Sequence, residues 1–263
     1  MERFSVSGPV GLIGGVRRTS DGPGTPVVFV HNINGAAAQW SPVMEALADR
    51  ATVAVDLRGQ GFSDPGGTYG AADYAADVAA VMDGLGIARA HLVGASFGGS
   101  TCVTLAATQP ARVASVTVIG GALRVADVDS AAVVGELRQL GPTLFFEKFA
   151  ALSFAPGTDD ALLADSVRWA VRNDSPTVEH IIDGAFSADI SAAASQVDAP
   201  ALVLTGEHDQ TCPPVLGAEF AAALGTGCRV LAGRGHLAHI EDPMLVAGLI
   251  DEHLRHVDSV PIR

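Results

Sequence analysis

Lysine is almost missing from this sequence. Lys148 is the only lysine in 263 residues, and 16 Lys and Arg face 29 Asp and Glu, which gives a formal net charge of -13. Proteins that bind nucleic acid or anionic membranes do so through clustered basic side chains. We therefore expect no nucleic acid and no membrane among the partners of this protein.

Cysteines and long apolar runs are also scarce. Cys102, Cys212 and Cys228 are odd in number, widely spaced and without metal-ligand spacing, so we expect free thiols and no metal site. No apolar run approaches the roughly 20 residues of a membrane span, and the segment from Met1 to Arg18 has no basic start followed by a long apolar core. These features predict a cytoplasmic protein.

Aromatic residues make up only 5% of the chain and charged residues 17%, whereas 48% of the residues are hydrophobic. Such a composition is typical of a compact globular protein built largely from Ala, Val and Leu. A chain of this length buries about three quarters of its unfolded surface and is near the upper size for one core. We therefore expect one domain with an insertion.

Short apolar runs alternate with helical stretches along most of the chain. The segment from Phe4 to Val16 suits an antiparallel hairpin at a sheet edge, and helical spacing covers Trp40 to Leu47 and Tyr74 to Leu85, with a predicted N-cap at Ala72-Asp73. Continuous apolar runs typical of parallel strands occupy residues 27–30, 52–55, 91–93, 116–119 and 201–204. The alternation predicts an α/β fold with a mostly parallel, doubly wound sheet, whose ligands bind at the carboxyl ends of the strands.

The alternation stops after Gly121 and resumes at Pro200. Helical spacing and Gly/Pro breaks between them predict several helices, at about residues 132–140, 144–152, 161–171 and 178–186. We therefore predict a core of residues 1–122 and 198–263 with a helical lid inserted at residues 123–197. Most aromatic rings of the lid are expected to pack its own small core, and Phe146 and Trp169 are candidates for contact with a ligand.

The pentapeptide Gly94-Ala95-Ser96-Phe97-Gly98 lies between an apolar run and a helical stretch. That context suits a nucleophile elbow, in which glycines let a strand and a helix approach closely and hold a serine hydroxyl at a sharp, exposed turn. G-x-S-x-G alone is weak evidence, because it also occurs by chance in Gly- and Ser-rich turns.

Two further polar segments follow strands later in the chain. Asp209 lies in Glu207-His208-Asp209 after the run at 201–204, and His236 follows Gly235 after an apparent strand at 228–231. Together with Ser96 they give the chain order Ser, Asp, His.

With these segments, the sequence resembles the α/β-hydrolase fold family over essentially its whole length. The segments that carry the resemblance, in order, are His31-Asn32-Ile33-Asn34-Gly35, Asp56 to Ser63, the elbow at Ser96, Gly206 to Asp209, and Gly235-His236 followed by Glu241-Asp242-Pro243.

The resemblance implies a role for each site residue. Ser96 would be the nucleophile, His236 the base, and Asp209 the carboxylate that orients the imidazole. The backbone N–H groups of Ile33 and Phe97 would form the oxyanion hole.

Several assignments stay open at this stage. His239 could replace His236 as the base, although the family pattern places the catalytic histidine directly after the glycine, and Glu207 could replace Asp209. Arg58 could bind substrate, but its loop in the family is mostly structural, with Asp56 and Arg58 bracing the turn. Arg124, just beyond a strand end, is a further candidate for a substrate contact.

The chain departs from the family pattern at two positions. Asn32 stands where a glycine usually follows the histidine, which leaves open an extra hydrogen bond to substrate, and Gln60 stands where a histidine is frequent. The resemblance implies a serine hydrolase that cleaves a small ester, lactone or thioester without a cofactor. Carbon-carbon bond hydrolysis, cofactor-free perhydrolysis and a non-catalytic ligand-binding role stay open, as does a homodimer.

Overall fold

The computed structural model describes residues 1–125 and 128–260. The predicted lid and core ranges also include residues 126–127 and 261–263, which lie outside the described part. The strands are β1 (Glu2–Ser7), β2 (Leu12–Arg18), β3 (Val27–Val30), β4 (Thr52–Val55), β5 (Ala90–Ala95), β6 (Val113–Ile119), β7 (Ala201–Gly206) and β8 (Cys228–Leu231). The α-helices are α1 (Ser41–Ala46), α2 (Ala71–Gly84), α3 (Phe97–Thr108), α4 (Ser130–Leu140), α5 (Pro142–Ser153), α6 (Asp160–Ala170), α7 (Ser175–Phe186), α8 (Ser191–Ala194), α9 (Pro214–Ala223), α10 (Ala238–Glu241) and α11 (Pro243–Ser259).

The described strands form one eight-stranded sheet in the order β1-β2-β4-β3-β5-β6-β7-β8. β1 pairs with β2, and β2 with β4, in antiparallel fashion, whereas β3 to β8 run parallel to one another. Every residue of β3 and β4 is buried, as expected of strands that are covered on both faces. The predicted α/β-hydrolase fold with a mostly parallel sheet is confirmed.

Helices cover both faces of the sheet. On one face, α2, α3 and α9 contribute residues such as Tyr74, Leu105 and Phe220 to one apolar cluster, and on the other α1 and α11 contribute Met44 and Ile250 to a second cluster. These side chains are 0% exposed. Because β3 to β8 run parallel, their carboxyl ends meet at one edge of the sheet. Since helices cover both faces, this edge is where polar groups can meet.

Helices α4 to α8 lie between β6 and β7 in the chain. Leu137, Phe145, Phe146, Val178 and Ile182 form a small apolar cluster of their own there. An isolated bridge pairs Arg124 with Asp189, at the two ends of this helical segment. None of the helices within residues 1–125 and 128–260 has the length and apolar character needed to cross a membrane.

Helix α2 begins earlier than the sequence predicts. Its N-cap is Gly70, and Asp73 lies three residues inside, where Oδ2 accepts a hydrogen bond from the Gly70 N–H at 3.0 Å. The predicted N-cap at Ala72-Asp73 is therefore wrong. Asp73 lies in the first turn of the helix, and from there its carboxylate accepts the hydrogen bond of the N-cap N–H group.

Candidate active site

Ser96 lies at the turn between β5 and α3. Its backbone has φ 52° and ψ -125°, and its N–H donates to Ile119 O of the neighbouring strand at 2.7 Å. A side chain is uncommon at positive φ and persists only where surrounding structure holds it. A Cβ on Gly94 would lie 2.2 Å from Gly98 O, and one on Gly98 would lie 2.4 Å from Val30 O. The close approach that the sequence predicts for these glycines is therefore present.

His236 and Asp209 meet at the same edge of the sheet. The His236 Nδ1 atom lies 2.8 Å from Asp209 Oδ2, and the two side chains are 4% and 0% exposed. The other carboxylate oxygen of Asp209 accepts hydrogen bonds from the N–H groups of Thr211 at 2.9 Å and Cys212 at 2.7 Å. Because both carboxylate oxygens are engaged, the Asp209 carboxylate is fixed and holds the imidazole by its Nδ1 side, which leaves Nε2 for another partner.

The loop after β3 turns through Asn34, which has φ 56°. Its N–H donates to Gln60 Oε1 at 2.5 Å, while Gln60 Nε2 donates to the hydroxyl of Tyr74 at 3.2 Å. Gln60, Tyr74 and His31 are essentially unexposed. Burial lowers the pKa of His31, whose Nε2 accepts from the Leu57 N–H, so this histidine is neutral. In the sequence, Gln60 is notable only as a departure from the family pattern. In the structure, its hydrogen bond with the Asn34 N–H fixes the loop that carries Ile33.

The two predicted oxyanion-hole residues flank the site. Phe97 is the first residue of α3, so its N–H has no partner inside the helix. Within the described residues the Ile33 N–H has no backbone acceptor.

One cavity of about 120 Å³ joins these groups. Ser96 and His236 both line it, as do Asn32, Ile33, Asn34 and Phe97. Ser96 and Asn34 are the non-glycine residues with positive φ in the described chain, and both lie on its wall. Backbone strain of this kind tends to occur where a protein binds ligands or performs chemistry.

Helices α5 to α7, within the segment predicted as the lid, supply another part of the cavity lining. Phe145, Phe146, Phe149 and Phe186 line the cavity, together with aliphatic residues such as Val167 and Ile182. Four Phe rings therefore border the cavity, which is more than the sequence predicts. The same rings also pack against each other, and the ring centroids of Phe145 and Phe149 are 4.7 Å apart.

Of the four residues predicted to contact substrate, three line the cavity and one does not. Asn32, Arg124 and Phe146 line the cavity, and among the described lining residues Arg124 is the only Arg or Lys. Trp169 does not line it. Its ring instead packs edge-on against Phe62 at 6.3 Å, with the Arg172 guanidinium 5.1 Å from the Trp169 ring. The prediction for Trp169 is corrected on this ground: aromatic character alone does not show which side of a lid helix faces inward.

The sequence alternatives for the base and the acid lie elsewhere. His239 is unexposed and stacks on Trp40 at 4.2 Å, and burial together with the neighbouring His236 and His31 lowers its pKa to about 3. Glu207 is exposed and accepts from the Gly233 N–H at 2.8 Å. The structure thus places Asp209, rather than Glu207, against His236.

Arg58 belongs to the interior. Its guanidinium donates to both carboxylate oxygens of Asp77, at 2.7 and 2.8 Å, and to the carbonyl oxygens of Thr68 and Asp73. Asp56 accepts from the Ala37 N–H at 2.7 Å and the Phe62 N–H at 3.2 Å. Both side chains brace loops, in agreement with the structural role expected for them.

Within the described residues, no three His, Cys, Asp or Glu side chains lie together as a metal ion would require. The cysteines are free, and burial raises the pKa of the Cys212 thiol, which borders the cavity, so this thiol stays protonated.

Comparison with known proteins finds related sequences and related structures. The family model described as alpha/beta hydrolase fold matches residues 25–243. A 2-(acetamidomethylene)succinate hydrolase from Mesorhizobium japonicum is 44% identical over 100 residues, which are 37% of this chain and 36% of that protein. The match therefore spans little more than a third of the length of this curated relative.

Solved structures match over nearly the whole chain. An enol-lactonase from Burkholderia xenovorans LB400 superimposes with a TM-score of 0.85 at 25% identity, covering 96% of this chain and 100% of that one. A thermophilic esterase from Thermogutta terrifontis superimposes with a TM-score of 0.86 at 23% identity, covering 98% of this chain and 99% of that one.

Proposed function

Because this chain belongs to the α/β-hydrolase fold family, we propose that it is a serine hydrolase that cleaves a small ester, lactone or thioester through an acyl-enzyme intermediate. One observation carries the proposal. His236, which is hydrogen-bonded to Asp209, lines the same cavity as Ser96, a residue held at positive φ between a strand and a helix.

The proposed mechanism uses each group in turn. Ser96 Oγ attacks the substrate carbonyl carbon while His236 Nε2 takes the hydroxyl proton, and Asp209 stabilises the imidazolium that forms. The N–H groups of Ile33 and Phe97 donate to the oxyanion of the tetrahedral intermediate.

Collapse of that intermediate expels the alcohol, enol or thiol, which receives the proton from His236. Water then attacks the acyl-enzyme with His236 again as the base, and Ser96 recovers its proton as the acid leaves. No metal or organic cofactor takes part in these steps.

The character of the cavity supports a small, largely apolar acyl group. Its volume is about 120 Å³, and its lid wall consists of Phe and aliphatic side chains. Arg124 is available for one anionic substituent, since it is exposed and borders the cavity.

A second candidate is hydrolysis of an amide-type substrate. Asn32 Oδ1 is buried and accepts no hydrogen bond from the described residues, although Asn32 lines the cavity. An unpaired buried acceptor favours a substrate that brings an N–H group. The name of the Mesorhizobium japonicum relative carries an acetamido group, which agrees with this candidate.

The test is active-site labelling followed by a substrate panel. A fluorophosphonate should label the wild type and Ser115→Ala, a control that removes a buried β6 hydroxyl, but not Ser96→Ala. Aryl esters, lactones, acyl thioesters and N-acyl enamines should then separate the two candidates. A folded wild type that is neither labelled nor active on any of them would refute the proposal and favour a ligand-binding role. The cytoplasmic location and the homodimer stay predictions.

A further inference from the structure

Glu241 joins the loop of His236 to the lid. It is the last residue of the short helix α10 and is only partly exposed. Its Oε2 accepts a hydrogen bond from the Gly235 N–H at 2.8 Å, and its Oε1 accepts one from the Ala155 N–H at 2.6 Å. Gly235 precedes His236, and Ala155 follows the lid helix α5, so one carboxylate spans both segments.

A second set of bonds fixes the same two segments directly. Ser153 O, at the end of α5, accepts hydrogen bonds from the N–H groups of His236 at 2.7 Å and Leu237 at 3.3 Å. A Cβ on Gly235 would lie 2.6 Å from both Ala155 N and Ser153 O, so the backbones touch. The backbone on both sides of the His236 imidazole is therefore held from the lid.

The chemistry of this junction calls for a carboxylate. Two buried N–H groups converge on one side chain, and each needs its own acceptor. A carboxylate offers two acceptor oxygens and no donor, whereas the amide of Gln offers one acceptor and turns an N–H group toward the other donor. The hydroxyl of Thr158 completes the set, because it donates to Ala155 O at 2.8 Å and lies 3.4 Å from Glu241 Oε1.

Glu241 plays no part in the mechanism proposed above, and it does not line the cavity. We propose that Glu241 is a positioning residue that binds residues 153–158 of the predicted lid and fixes the Gly235 peptide, and with it the direction of the His236 imidazole toward Ser96. This inference rests on the proposed role of His236 as the base.

The kinetic test compares Glu241→Gln with Glu207→Gln. Glu207 also accepts one backbone N–H, from Gly233, but it does so at the surface, so its variant controls for loss of a glutamate in this region. We expect Glu241→Gln to lower kcat on an aryl ester by about 10- to 100-fold with little change in KM, since small misplacements of a reacting group cost rate rather than binding. Glu207→Gln should stay within about 2-fold of wild type.

A second readout does not depend on turnover. The ¹H NMR signal of the proton between His236 Nδ1 and Asp209 Oδ2 should move upfield in Glu241→Gln relative to wild type, because a displaced imidazole makes a looser hydrogen bond with Asp209. The pH profile of kcat/KM should change with it. A residue that only stabilised the fold would lower the melting temperature without moving either.

The outcomes separate this inference from the proposed function. An unchanged kcat and an unchanged NMR signal of the His236 Nδ1 proton in Glu241→Gln, or a rise in KM alone, would overturn it. If Glu241→Gln does not fold, Thr158→Val removes one hydroxyl of the same junction and should lower kcat by about 2- to 5-fold; wild-type kcat in that variant would equally overturn it. An inactive, unlabelled wild type would instead refute the proposed function, and the NMR signal of the His236 Nδ1 proton would still show whether Glu241 positions the imidazole.

Discussion

Two groups of Ser, His and Asp side chains lie at opposite edges of the same sheet. At the carboxyl edge are Ser96, His236 and Asp209. At the amino edge, the Ser115 Oγ lies 2.8 Å from His91 Nδ1, and the His91 Nε2 lies 3.1 Å from Asp258 Oδ1. The residue types are identical, and the hydrogen bond between histidine and aspartate is 2.8 Å long in the first group and 3.1 Å long in the second.

The surroundings of the two groups differ in every other respect. Ser115 lies within β6 and is unexposed, as is His91, whereas Ser96 lies at a strained turn on a cavity wall. Asp258 is also bonded to Arg50 at 2.5 Å, so the amino-edge group ties α11 to the sheet. Contact between a serine, a histidine and an aspartate therefore does not by itself indicate a catalytic site. A strained turn on a cavity wall, free N–H donors and space for a substrate distinguish the candidate site.

The largest contrast is expected between the two serines. Ser96→Ala should lower kcat by about 10⁶-fold, because no other group in the cavity replaces the nucleophile. Ser115→Ala should leave kcat/KM within about 2-fold, since its hydroxyl meets no substrate. Steady-state kinetics on one aryl ester measure both, and an inactive but folded Ser115→Ala would break the comparison.

The two aspartates should differ next. Asp209→Asn should lower kcat by about 10⁴-fold, because an amide at Nδ1 favours the wrong imidazole tautomer. Asp258→Asn should keep its kcat but lose about 2 kcal/mol of unfolding free energy, since it leaves the Arg50 guanidinium, 9% exposed, without its charge partner. Kinetics combined with urea unfolding distinguish these results; equal kinetic losses would show that the edges are coupled.

Glycine substitutions test how closely the strand and the helix approach each other at the Ser96 turn. Gly98→Ala should destabilise the protein by about 3 kcal/mol, because its Cβ would lie 2.4 Å from Val30 O and 2.6 Å from His31 O. Gly135→Ala, in the lid helix α4 with open space around it, should instead stabilise by about 1 kcal/mol. Urea unfolding of both variants is the measurement, and a neutral Gly98→Ala would contradict the close approach that shapes the elbow.

The smallest effect concerns pH. Burial lowers the pKa of His91 from 6.5 to about 4 and outweighs the opposing attraction of Asp258. The unfolded chain therefore takes up a proton between these values that the folded chain refuses, and the stability falls as the pH drops through this window. His91→Asn should flatten the fall by about 1.4 kcal/mol per pH unit. Unfolding free energies at pH 7, 6 and 5 would show it, and an unchanged slope would mean that His91 is not the group responsible.

The sheet and its loops could be read from the sequence because their signals are local. Four-residue apolar runs marked β3 and β4 at their observed bounds, and glycines at 94 and 98 marked the elbow. The direction in which lid side chains point could not be read in this way. Trp169 and Phe146 are both aromatic residues of lid helices, yet only Phe146 borders the cavity, because helix packing decides which face turns inward.

Contacts between segments that are far apart in the chain also could not be predicted from the sequence. His91 looked like an ordinary member of an apolar run, since its partner Asp258 lies 167 residues away. The same holds for Glu241 and Ala155, which are 86 residues apart. Charge and hydropathy patterns describe which face a residue occupies, but they do not say which distant loop it meets there.

The carbonyl oxygen of Ser153 binds the two amides around the histidine side chain through main-chain atoms alone. Side chains along helices α4 to α7 can therefore vary during evolution, or be randomised in a library, while this anchor is preserved. Selectivity for the acyl group and alignment of the base are then separately adjustable, which makes the ring-lined wall a suitable place to diversify and residues 153–158 a stretch to leave intact.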